Sequence, residues 1–98
     1  MAELASARSD WFVYLVRTRQ QSLYCGITKD VERRFAEHVR GVGAKALKGK
    51  GPLQLAWHER VANTRGDAQR VELLIKRQSK IVKERLVRGE ITLQALMS

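Results

Sequence analysis

The chain has 98 residues, 44% of them hydrophobic and 30% charged, which is a globular composition and excludes a disordered chain. Nineteen Lys and Arg against ten Asp and Glu give a net charge of +9, which points to an anionic partner, with nucleic acid first. No apolar run is long enough to span a bilayer, and the N-terminus lacks the apolar stretch of a secretory signal. A single cysteine, Cys25, excludes an internal disulfide and a cysteine-ligated zinc site. A cytoplasmic protein with no membrane contact is therefore expected.

Residues 1–10 are small, polar and aperiodic, and read as a flexible N-terminal tail. Trp11-Phe12-Val13-Tyr14-Leu15-Val16 is aromatic and β-branched, the pattern of a strand buried on both faces. The polar stretch 17–22 reads as a turn, and Leu23 to Ile27 as a second strand completing an antiparallel hairpin. Asp30 is a suitable N-cap for a helix whose Val31, Phe35 and Val39 recur at i, i+4, i+8. Gly41 and Gly43 end that helix, and Gly41 to Pro52 reads as a basic, mobile loop. Leu53, Leu55 and Trp57 alternate with polar or small residues, which predicts a third strand with one dry face. A long helix is expected from about Ala68 to Leu86, with Ala68, Val71, Ile75, Val82 and Leu86 on one stripe and Gly89 at its end. The expected fold is α+β: a small three-stranded antiparallel sheet flanked by helices, in the order β-β-α-β-α, with residues 11–88 as the domain and 89–98 as a C-terminal tail of open conformation.

On the first helix Arg34 and His38 are four apart and stack beside the apolar stripe. A guanidinium fixed there can grip a phosphate with two parallel hydrogen bonds, although Arg34 could equally be one of several solvated cations. Glu72 borders the apolar stripe of the second long helix. A carboxylate in that place can coordinate a hard divalent cation, or simply pair with Lys76 four residues on. Tyr14 and Tyr24 are on paired strands, where tyrosines usually pack with the hydroxyl at the rim. Cys25 reads as a small buried hydrophobe, and His58 as exposed. Lys45, Lys48 and Lys50 lie among glycines in a loop that could follow a phosphate backbone, and the loop has no P-loop signature.

These pieces have a familiar order. Val13-Tyr14, a spacer of nine residues, and Tyr24-Cys25-Gly26 resemble the two halves of the GIY-YIG nuclease signature. Glu32-Arg33-Arg34-Phe35 resembles the family's arginine-bearing helix, with His38 one turn on. Ala68-Gln69-Arg70-Val71-Glu72 resembles the helix that holds the family's metal-binding glutamate. The segment GAKALKGKGP is similar to one in the small stand-alone bacterial members. The resemblance spans residues 11 to 87, and departs from the signature at Phe12-Val13 in the first half and Cys25 in the second.

This resemblance implies a metal-dependent DNA endonuclease that hydrolyses phosphodiester bonds, structure-selective and linked to DNA repair or recombination. It implies catalytic roles for Tyr14, Tyr24, Arg34, His38 and Glu72, with Glu72 holding a single Mg²⁺ or Mn²⁺. Tyr14 would be general base or proton relay, and Gly26 would allow a close backbone approach. Lys45, Lys48, Lys50 and Lys76 would hold flanking phosphates of DNA, or of RNA, with a partner protein as one source of substrate specificity. The competing expectation is a non-catalytic basic nucleic-acid-binding module on the same fold.

Overall fold

A computed structural model describes residues 10–98, so all of the expected 1–10 tail except Asp10 lies outside the described residues. The strands are β1 (Trp11–Arg17), β2 (Leu23–Thr28) and β3 (Gln54–Ala62). They form one antiparallel sheet in the order β2-β1-β3. The most apolar strand takes the central place, and Val13 to Val16 are buried on both sides, as their composition predicts. The helices are α1 (Val31–Val39), α2 (Arg65–Lys76), α3 (Lys80–Val87) and α4 (Leu93–Met97). The α+β class and the three-stranded sheet flanked by helices are as expected.

Alternation along the strands divides the apolar side chains between two faces. Val13, Leu15 and Cys25 pack with Val71, Ile75, Leu86 and Leu93, so α2, α3 and α4 cover one face. Tyr14 and Val16 pack with Leu47, Tyr24, Phe35, Leu53 and Leu55 on the other, under α1 and the loop that follows it. Arg17 locks α3 to the sheet by two bonds to Glu84, of 2.7 and 2.9 Å. Lys80 adds a 2.8 Å bond to the same carboxylate.

Four expectations change. The single helix from Ala68 to Leu86 is two helices, because the Ser79 hydroxyl accepts from the Val82 N–H and starts a new one. The stripe survives the break, with Ala68, Val71, Ile75 and Leu86 all buried. On α1 the expected Val39 is 59% exposed, and His38 takes the buried position. On β3, Leu15 pairs with Trp57 while Val16 pairs with Leu55, so Ala56 is an inserted residue. That bulge reverses the alternation: Leu53 and Leu55 face Tyr14, and Trp57 faces α2. The loop after α1 is not a free span. Lys45–Leu47 make a 3-10 turn, Leu47 is buried, and the Lys50 carbonyl accepts from the Arg19 N–H. The C-terminal stretch, left open by its sequence, is helical, with Thr92 as N-cap and Leu93 in the core.

Candidate active site

The site begins with a glycine. Tyr14 on β1 lies directly across from Gly26 on β2, and the Tyr14 ring lies over that glycine. A Cβ at position 26 would stand 2.6 Å from Tyr14 Cζ, so only glycine leaves the ring its place. Tyr24, two residues earlier on β2, points to the same face, with ring centroids 6.4 Å apart. From α1, His38 completes a triangle of rings, 5.7 Å from Tyr14 and 5.6 Å from Tyr24.

His38 is fully enclosed and both ring nitrogens are bonded. Its Nδ1 accepts from the Ala44 backbone N–H at 3.2 Å, and its Nε2 lies 2.8 Å from Tyr14 Oη. A peptide N–H can only donate, so Nδ1 carries no proton. The neutral ring therefore carries its proton on Nε2 and donates it to Tyr14 Oη. Burial first, then the Arg34 charge, holds the His38 pKa below the usual histidine value and keeps the ring neutral. Gly43 makes the Ala44 contact possible, since a Cβ there would come 2.9 Å from His38 Cε1 and closer still to Nδ1.

Arg34 stands one turn before His38. Its Nη1 donates to Glu37 Oε1 at 2.9 Å, and this bond is the main reason its pKa is raised. The same guanidinium acts on the Tyr14 hydroxyl and draws its pKa down, yet burial outweighs it and Tyr14 is pushed up to about 12. Tyr14 is thus a phenol at neutral pH, with a cation and an imidazole N–H placed to support its phenolate. Glu37 did not emerge from the sequence, although its i,i+3 spacing from Arg34 was there to be read.

Glu72 and Lys76 approach from α2, which packs against all three strands, the edge strand β2 among them. Their charged groups are 3.2 Å apart, and the Glu72 side chain is 20% exposed. Glu72 raises the Lys76 pKa, with Cys25 and Tyr24 adding smaller effects in the same direction. The pair therefore stands beside Tyr24 and Cys25, across β2 from the ring triangle. The Cys25 thiol, pushed up to about 12 chiefly by burial, remains a protonated thiol and is inert as a nucleophile.

The fold thus gathers Tyr14, Tyr24, Arg34 and His38 on one face and brings Glu72 to its β2 side. Lys45, Lys48 and Lys50 are exposed on the neighbouring loop, whereas Lys76 is paired with Glu72. One shallow cleft of about 220 Å³ opens between Tyr24, Leu47 and Lys50, and another of the same size lies beside Arg33, Arg34 and Glu37. A larger cavity of about 460 Å³ lies elsewhere, lined by Arg60, Asn63, Arg70 and Met97, and contains none of these groups.

A hairpin that presents two tyrosines, a following helix that presents an arginine and a histidine, and a glutamate on the helix after β3 define a GIY-YIG nuclease domain. The profile of the GIY-YIG catalytic domain matches residues 10–85, and the chain belongs to that family. A UPF0213 protein of Vibrio cholerae serotype O1 is 56% identical over 89 residues, 91% of this chain and 88% of its own. The UPF0213 protein YhbQ of Salmonella paratyphi B is 49% identical over 88 residues, 90% of this chain and 87% of its own. The solution NMR structure of a UPF0213 protein from Bacillus halodurans matches with a TM-score of 0.51 and 35% identity, over 81% of this chain and 83% of that one.

Proposed function

We infer that the chain is a divalent-metal-dependent DNA endonuclease. The observation that carries this reading is the bonded line from the Ala44 N–H through His38 to Tyr14 Oη, with Arg34 acting on the same oxygen. The donor set suits Mg²⁺ or Mn²⁺: among the described residues no group of three His, Cys, Asp or Glu is gathered, but Mg²⁺ needs only one or two carboxylates and keeps waters and phosphate oxygens. Glu72, part-exposed and paired with Lys76 on the β2 side of the site, would supply that carboxylate. Held by Glu72, such an ion would supply Lewis-acid stabilisation of the charge that develops during hydrolysis.

The protein's own groups then divide the remaining work. Tyr14 Oη takes the proton of the attacking water, and the His38 Nε2–H and Arg34 stabilise the phenolate that does so. Arg34, held by Glu37, offers its other N–H groups to the phosphate as negative charge grows there. Tyr24 walls the water position from β2. Lys45, Lys48 and Lys50 hold flanking phosphates. Structure-selective cutting in repair or recombination belongs to the same reading.

The test incubates wild type and Glu72→Ala with labelled single-stranded, duplex, nicked, flap and branched DNA, with Mg²⁺, Mn²⁺ or EDTA. Wild type should cut at least one DNA only with metal, and Glu72→Ala should bind that DNA and leave it whole. Equal cutting by the variant removes Glu72 from the mechanism. Salt-sensitive binding with no cutting by wild type replaces the nuclease with a non-catalytic binding module.

A further inference from the structure

The Ala44 amide belongs to the same loop as Lys45, Lys48 and Lys50, and the loop is pinned to the site at three points. Its Ala44 N–H holds His38 Nδ1, its Leu47 side chain packs with Tyr14 and Val16, and its Lys50 carbonyl is fixed by Arg19. The first of these decides a chemical state as well as a position. With Nδ1 occupied by a donor, Tyr14 Oη accepts from His38, and its own O–H is free to point at substrate. Without that donor, the imidazole can carry its proton on Nδ1, and its Nε2 then takes the O–H of Tyr14 instead. Tyr14 Oη loses the N–H that supports its phenolate, although no group that touches substrate has changed.

We propose that the backbone N–H of Ala44 is a positioning group for Tyr14: it sets the tautomer of His38, so the loop that presents the lysines also determines whether Tyr14 can accept a proton. This rests on the reading of Tyr14 as the proton acceptor.

Proline at position 44 removes the donor. Ala44 has φ −69° and ψ 139°, which a proline ring adopts without backbone strain, and Ala44→Pro replaces the N–H by a ring Cδ that points at His38 Nδ1, so it removes the donor and also presses on the imidazole. The first readout is the ¹⁵N spectrum of the His38 ring near neutral pH, which separates protonated from unprotonated ring nitrogens. Wild type should show Nε2 protonated and Nδ1 bare, and Ala44→Pro should lose that pattern. The second readout is turnover on the DNA panel with Mg²⁺: kcat should fall about tenfold, the scale of one lost buried hydrogen bond, with KM unchanged. Ala44→Gly, which keeps the N–H, should return both. Gly43→Ala, which presses on the His38 ring, should act like the proline and serves where the proline variant does not fold. A wild-type ring protonated on Nδ1 overturns the proposal, as does a changed tautomer with unchanged turnover. If wild type cuts no DNA, the nuclease reading fails, and the ring spectra of wild type and variants still decide whether Ala44 sets the tautomer.

Discussion

Gly26→Ala is the sharpest perturbation of the site, because it adds one methyl group at a place where the direction of every consequence is fixed. The added Cβ would stand 2.6 Å from Tyr14 Cζ and 3.1 Å from Cε2. Tyr14 is 2% exposed and bonded to His38, so the ring cannot yield without breaking that bond. Gly26 is not among the glycines of positive φ, so alanine adds no backbone strain and gains about 0.5 kcal/mol from a less flexible unfolded chain. Against this, overpacking costs about 1–3 kcal/mol and the lost Tyr14–His38 bond about 1 kcal/mol. The steric effect wins, with a net loss of about 2 kcal/mol, or about 8–16 °C in Tm for a domain of this size.

The decisive assay is a double-mutant cycle by chemical unfolding. In a Tyr14→Ala background the obstacle is gone, so Gly26→Ala should be neutral or stabilising by about 0.5 kcal/mol. The coupling energy between the two positions should then be about 2–3 kcal/mol, in the range of residues in direct contact. A coupling below about 0.5 kcal/mol, the level at which independent sites add, would refute the argument that Gly26 exists to make room for Tyr14.

Further outcomes follow from the charges. With Tyr14 near pKa 12, its phenolate is a small fraction at neutral pH, so with Tyr14 as the proposed base log kcat should rise with unit slope from about pH 7 into the alkaline range; a flat profile would remove Tyr14 as base. Glu84 has its pKa lowered from 4.5 to about 2 by Arg17 and then Lys80, so its contribution is complete above about pH 4.5 and lost as pH falls toward 2. Glu84→Gln should cost about 1–2 kcal/mol at pH 7, seen by urea unfolding, and should flatten that acid limb. Replacing Lys45, Lys48 and Lys50 together by Ala should reduce the log–log salt slope of duplex binding by about 2.7, measured by fluorescence anisotropy across salt concentrations, while an unchanged slope would place the phosphates elsewhere.

The sequence alone carried the frame of this protein. The central strand was legible because Trp11 to Val16 is apolar without interruption, and α1 because Asp30 and Gly41 punctuate it. The set Tyr14, Tyr24, Arg34, His38 and Glu72 was legible through the resemblance to the GIY-YIG signature; strand and helix periodicity placed these residues on faces and gave them no role. Three kinds of fact were beyond it. The β3 bulge at Ala56 depends on pairing with β1, and no local pattern in Leu53 to Trp57 encodes it. The break at Ser79 competes with an apolar stripe that runs on from Ala68 to Leu86, and in the fold the Ser79 cap starts a separate α3 that the Arg17–Glu84 pair holds against β1.

The state of His38 was the least legible of all. Its burial in place of Val39 and its proton on Nε2 follow from a peptide N–H six residues on, delivered by a loop whose sequence suggests only mobility. Local propensity acts through neighbours in the chain, so sequence reports it. Proton placement in a buried ring depends on donors brought together by packing, so only the tertiary structure decides it.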